Sequence, residues 1–116
     1  MATPVGPYTP IVRSGDWLIA SGQVGLGADG LVPGGVAAEL RQAFANLRDL
    51  LASEGATLDD VVKTTVFLVD MADYGAMNEV YMAEFGDHRP ARSAVAVAEL
   101  PIGARVEIEA WARPVG

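Results

Sequence analysis

A chain of 116 residues, 51% of them hydrophobic and 20% charged, has room for one folding unit with a thin core and none for a separate cofactor domain. Eight basic against fifteen acidic residues give a formal net charge of −7, which opposes sequence-independent binding to polyphosphates, where lysine and arginine must displace counterions. Cysteine is absent and His88 is the single histidine, so disulfides, thiolate chemistry and a two-histidine or histidine–cysteine metal site within one chain are excluded.

Met1 to Tyr8 carries neither a basic nor an apolar leader segment, and no uncharged run approaches the roughly 18 residues of a membrane span. The expectation is a soluble, unprocessed, cytoplasmic protein with no nucleic-acid or membrane partner. A strand is predicted near Pro10 to Arg13, a turn at Ser14-Gly15-Asp16, and a second strand at Trp17 to Gln23, the two strands forming a hairpin. Glycine and proline dominate Gly25 to Gly35, which reads as a loop. Gly25-Leu26-Gly27-Ala28-Asp29-Gly30 matches G-x-G-x-x-G formally, but Pro33-Gly34-Gly35 follows and no strand-to-helix context surrounds it, so it is not read as a nucleotide site.

Apolar residues at Val36, Leu40, Ala43, Phe44, Leu47, Leu50 and Leu51 form one helical stripe and predict a helix over Val36 to Glu54, closed by Gly55. Asp59-Asp60 reads as a solvated turn or helix start. The β-branched run Val61 to Val69 is a predicted strand. A second helix follows, with Asp73 as its cap, a stripe through Tyr74, Met77, Asn78, Tyr81, Met82 and Phe85, and Gly86 at its end. Beyond the His88-Arg89-Pro90 breaker lie the strand runs Arg92 to Ala98 and Arg105 to Ala112, joined through Leu100-Pro101-Ile102-Gly103, whose proline and glycine suit a type I turn. The order ββαβαββ predicts a single α+β domain over residues 1–116, with both helices on one sheet face.

Alternation within the last strand puts Val106, Ile108, Ala110 and Ala112 on one side and Arg105, Glu107, Glu109, Trp111 and Arg113 on the other. The first set belongs beneath the helices. In the preceding strand Ser93, Val95 and Val97 form the more apolar set. If the two strands pair through the Pro101 turn, matching apolar sets places Arg92 on the same face as Glu107. That face also collects Trp17, Ile19, Ser21, Thr65 and Phe67 beside Lys63, an apolar patch of a size that monomers rarely expose, so it is expected to meet another subunit.

Arg92 reads either as a strand-end surface arginine in a salt bridge or as a clamp for a carboxylate, to which a guanidinium offers parallel N–H groups. Glu107 reads either as a solvated strand residue or as an anchor or base for water, which needs a partly desolvated site. His88 lies in a loop, and no G-x-S-x-G nominates a serine nucleophile for it to serve. Tyr74 and Tyr81, at helical spacing, read as core or interface residues.

Six fragments occur in one order: Gly6-Pro7-Tyr8; Ser21-Gly22-Gln23; Val61-Val62-Lys63-Thr64-Thr65-Val66-Phe67; Asn78 with Tyr81 and Phe85; Pro90-Ala91-Arg92-Ser93; and Leu100-Pro101 leading to Val106-Glu107-Ile108-Glu109. In these fragments the chain resembles, over nearly its whole length, the Rid or YjgF-like family of reactive-intermediate enamine/imine deaminases. The resemblance implies a chorismate-mutase-like α+β subunit in a homotrimer, with sheets inward, helices outward and three clefts between subunits. It also implies a carboxylate-binding role for Arg92, a water-positioning role for Glu107, and cleft positions for Tyr8, Ser21, Gly22 and Asn78. The substrates it implies are 2-aminoacrylate or 2-iminopropanoate and 2-iminobutanoate, converted to 2-oxo acids and ammonia with neither metal nor cofactor. Ala94 stands where many relatives carry cysteine, and Thr9-Pro10 replaces their small polar residues after the tyrosine. Two other functions remain open: a non-enzymatic trimer that binds 2-oxo acids, and an RNA-cleaving relative, which the −7 charge opposes.

Overall fold

The computed structural model describes residues 6–115. Gly15 has φ 60° while Asp16 does not enter the positive-φ region, the pattern of a II′ hairpin turn, whose twist suits the strands it joins. It connects β1 (Ile11–Ser14) to β2 (Trp17–Gln23) in the antiparallel register Ser14 to Trp17 and Ile11 to Ala20. The predicted loop that follows holds a two-residue hairpin, β3 (Leu26–Gly27) and β4 (Gly30–Leu31). Gly25 is there for close packing: a Cβ on it would sit 2.6 Å from the Glu39 Cα, which accounts for the glycine without a phosphate.

Helix α1 (Gly35–Ser53) buries the stripe its periodicity predicts, together with Glu39, whose carboxylate accepts the Arg105 backbone N–H at 2.8 Å and so ties α1 to the start of the last strand. A 3₁₀ turn at Leu58–Asp60, in which the Asp60 carboxylate accepts the Thr57 N–H at 2.9 Å, leads into β5 (Val61–Leu68). Helix α2 (Tyr74–Phe85) is preceded by a 3₁₀ turn at Met71–Asp73. Asp73 was the expected cap, yet its side chain makes no capping bond. Helical winding begins one turn earlier, so Asp70 does the capping, accepting from the Ala72 N–H at 2.9 Å.

The main sheet has the order β1-β2-β7-β5-β6, where β6 is Ala91–Ala96 and β7 is Val106–Ala112. Every pair is antiparallel except β5 with β6. The last two strands therefore do not pair, contrary to expectation, because β5 lies between them. Parallel neighbours need a long crossover, and α2 supplies it, leaving β6 on the outer side of β5. The link to β7 is not a type I turn either: Ile102 and Gly103 both have positive φ, 54° and 73°.

This topology overturns the expected shared face. Thr64 pairs with Arg92 and Ala110, whereas Phe67 pairs with Val95 and Glu107. Thr64 and Phe67 are three residues apart, so their side chains leave opposite sides of β5. Arg92 thus lies on the helix side and Glu107 on the open side. The expected phase of β6 rests on its apolar set, but the open face also carries large apolar side chains, Trp17, Phe67 and Trp111, so the more apolar set of β6 has apolar neighbours on the side away from the helices.

Beneath the helices one core gathers Leu18, Val66, Leu68, Val106 and Ile108 against the apolar stripes of α1 and α2. Phe44, Tyr81 and Phe85 pack edge to face or tilted, with ring centroids 4.8 to 5.9 Å apart. On the open side Trp17 meets the edge of Trp111 at 6.1 Å, and Trp111 and Val95 remain 44% and 42% exposed.

Candidate functional site

The residues singled out from the sequence fall into two clusters. The first lies on the open side, around a cavity of about 350 Å³ whose lining includes Tyr8, Ser21, Gly22, Pro101, Glu107 and Glu109. Strand β2 delivers Ser21 and Gly22 through an irregularity: Ala20 pairs with Ala110 but Gln23 with Ile108, so β2 carries one more residue than β7 between these pairs. Such a bulge re-aims the backbone. The Ser21 N–H donates to the Pro10 carbonyl at 2.8 Å and its hydroxyl to the Thr9 carbonyl at 2.7 Å, which pins the segment after Tyr8 along β2.

Gly22 has a steric reason to be glycine. A Cβ there would stand 2.7 Å from both the carboxyl carbon and Oε1 of Glu107, inside any tolerable contact, so the missing side chain lets that carboxylate lie over β2. Burial pushes the Glu107 pKa up from the ordinary carboxylate value, and the like charge of Glu109 adds to the rise. A carboxylate in this state is a stronger base than a solvated one and a more competent proton carrier near neutral pH.

The second cluster lies on the helix side at the β6 edge. Arg92 Nη1 donates to Asn78 Oδ1 at 2.8 Å and Nη2 to the Tyr74 hydroxyl at 2.9 Å. Its guanidinium carbon stands 4.8 Å from the Tyr81 ring centroid and 5.5 Å from that of Tyr74. Tyr81 is held in turn by a 2.7 Å hydrogen bond with the buried Thr64 hydroxyl. Burial raises the Tyr81 pKa, opposed by the Thr64 bond and then by Arg92 and Arg89, so its hydroxyl stays protonated. Arg92, Arg89, Asn78, Tyr81, Met82 and Pro90 line a cavity of about 330 Å³.

Among the described residues no carboxylate pairs with Arg92; the ion pairs found there are Arg13–Glu54, Arg48–Glu84 and Arg113–Asp16. The salt-bridge reading of Arg92 therefore fails. Neutral acceptors and aromatic faces fix the cation's direction without cancelling its charge, which leaves it able to take an anion. Tyr81 is buried in the core as its spacing predicts and supports Arg92 as well, while the supporting places of Tyr74 and Thr64 beside Arg92 are what sequence reasoning missed. Tyr74, Asn78 and Tyr81 stand at i, i+4 and i+7, one face of α2, and that spacing was the available signal.

His88 joins neither cluster. Its Nε2 donates to the Val61 carbonyl at 2.7 Å and its ring packs on Phe85, which fastens the loop after α2 to the beginning of β5.

The Endoribonuclease L-PSP family model matches residues 1–113. Over 110 residues the chain is 49% identical to a Mus musculus protein named 2-iminobutanoate/2-iminopropanoate deaminase, an alignment spanning 93% of this chain and 82% of that protein. The crystal structure of the YjgF gene product from E. coli superposes with a TM-score of 0.90 at 40% identity, covering 97% of this chain and 91% of the other. The crystal structure of E. coli TdcF with bound serine also gives a TM-score of 0.90, at 34% identity and the same coverage.

Proposed function

This chain belongs to the Endoribonuclease L-PSP family, also called YjgF or Rid, and we propose that it hydrolyses small reactive 2-imino acids, 2-iminopropanoate and 2-iminobutanoate, to 2-oxo acids and ammonia. The observation that carries this reading is Arg92, a guanidinium aimed by Asn78 and Tyr74 with no carboxylate partner among the described residues. A substrate carboxylate is the anion it lacks.

In the reaction, tautomerisation of an enamine gives the imine, and protonation of nitrogen makes C2 electrophilic. Arg92 holds the carboxylate. Glu107 accepts a proton from water as it adds to C2 and passes it to the nitrogen of the resulting carbinolamine; ammonia then leaves as the hydroxyl oxygen forms the C=O bond and gives up its own proton to Glu107. The raised pKa of Glu107 suits both directions of transfer. An imine is electrophilic by itself, so neither metal nor cofactor enters this scheme. A positioned base contributes on the order of 10²–10⁴ in rate.

Arg92 and Glu107 lie on opposite sides of one sheet, so a single subunit does not assemble this chemistry. We place the chain in a homotrimer whose open faces turn inward, with the Arg92 cavity of one copy set against the Tyr8, Ser21, Gly22 and Glu107 cavity of the next. The exposed Trp111 and Val95 on the open face favour that burial. The same proposal puts the protein in the cytoplasm; among the described residues no helix is long and apolar enough to cross a membrane. The family's name refers to RNA cleavage, but a net charge of −7 and an open-face cavity bearing Glu107 and Glu109 repel a phosphodiester backbone.

The test is a coupled assay in which a pyridoxal-phosphate lyase releases 2-aminoacrylate or the 2-iminobutanoate precursor. The protein is expected to speed 2-oxo acid formation and Arg92→Ala to abolish the increase; equal rates with wild type and Arg92→Ala would defeat the reading.

A further inference from the structure

The Arg92 cavity contains a second cation that the hydrolysis of a monocarboxylic imine does not use. Arg89 lines the same space of about 330 Å³. Its Nη1 donates to the backbone carbonyls of Gly86 and, at 3.0 Å, His88, so it too is held by neutral acceptors. No carboxylate among the described residues pairs with it. Asp87, its acidic near neighbour in sequence, is not among the residues that line the cavity. Both guanidiniums line one cavity that has no acidic residue among the described residues of its lining, so a ligand that brings two negative groups can meet a cation with each. Tyr81, between α2 and the sheet, feels both cations.

We propose that this cavity is adapted to 2-imino acids bearing a second carboxylate at the end of a one- or two-carbon side chain, with Arg92 taking the C1 carboxylate and Arg89 the distal one. The inference rests on the proposed role of Arg92 and extends it to a substrate class. The distal carboxylate takes no part in bond changes: water adds across C=N, ammonia leaves, and a 2-oxo dicarboxylate is released. Arg89 is a specificity residue whose contribution depends on the ligand carrying the second charge. Because the whole chain carries −7, the preference comes from the local pair of cations, and added salt weakens it.

Equilibrium binding of 2-oxo acids, the products, tests this without turnover. Oxaloacetate is compared with 2-oxobutanoate and 2-oxoglutarate with 2-oxopentanoate, matched in carbon number, on the wild-type protein, Arg89→Gln and Arg89→Lys. Wild type is expected to bind each dicarboxylate about tenfold more tightly than its partner, the effect of one exposed charge-assisted contact. Arg89→Gln should bring that ratio close to one and Arg89→Lys should restore part of it, with circular dichroism spectra of both variants matching wild type. Equal affinities in wild type, or a ratio that survives Arg89→Gln, would overturn the proposal. A ratio that vanishes in Arg89→Gln supports it even if imine hydrolysis is not accelerated, so its failure and that of the catalytic reading remain separable.

Discussion

Both faces of the five-stranded sheet carry large apolar side chains, and their fates differ. On the helix side Leu18, Val66, Leu68, Val106 and Ile108 are sealed by α1 and α2; on the open side Trp17, Ile19, Phe67, Val95 and Trp111 stay partly or largely exposed. The first face is completed by its own chain. In the proposed trimer the second is completed by other copies. Each face carries half of the candidate chemistry, Arg92 at the edge of the sealed side and Glu107 on the open side. A strand's alternation shows that two faces exist, but it does not say which one the chain's own helices will cover.

Phe44→Ala breaks the comparison most severely. The ring is fully buried and touches Tyr81 and Phe85, so its loss should cost about 3–5 kcal/mol. The matched change on the other face, Trp111→Ala, should leave the subunit folded and weaken its assembly. Urea titration monitored by circular dichroism, set beside sedimentation velocity, separates the two outcomes; equal losses of fold stability would show that the faces do not differ in this way.

Gly22→Ala acts at the meeting of β2 with the Glu107 carboxylate. A methyl group there meets only the Glu107 side chain, whose flexible carboxyl end can swing aside, so the carboxylate should move while the fold loses little stability. The fall in kcat should exceed any change in KM, because the base moves while Arg92 does not. Steady-state kinetics with a melting curve checks this.

Smallest is the pH effect. The Glu107 pKa is raised by burial and then by Glu109, so the acid limb of kcat should lie above the range of a solvated carboxylate, and Glu109→Gln should move it toward lower pH. The sign for stability follows from the same shift. The folded state holds this proton after the unfolded state has lost it, so the stability it contributes is complete below the unfolded value and declines as pH rises through the folded one. Profiles of kcat against pH for wild type and Glu109→Gln measure the limb directly.

Much of the fold was legible because local chemistry and tertiary context agreed. Trp17 to Gln23 has strand residues bounded by a turn and a glycine-rich loop, and the strand occupies those bounds. The α1 stripe faces the core as its spacing requires. The pairing of β6 was not legible from alternation, since Ser93 and Val95 are more apolar than Arg92 and Ala94 yet belong to the side left open. What could have placed it is the unit β5–α2–β6, a strand, crossover helix and strand, which implies parallel neighbours. Arg92, Glu107, Tyr8, Ser21, Gly22 and Asn78 came from ordered motifs. Their division into two cavities came from register, which single-strand patterns do not encode.

The most direct test mixes two inactive parents. Arg92→Ala and Glu107→Gln are co-expressed with different tags, and heterotrimers are purified through both tags. If each cleft takes Arg92 from one copy and Glu107 from its neighbour, every purified heterotrimer, with one or two copies of either parent, keeps about one cleft in three intact, and activity should return to about a third of the wild-type rate. Mixed particles as inactive as either parent would contradict the account.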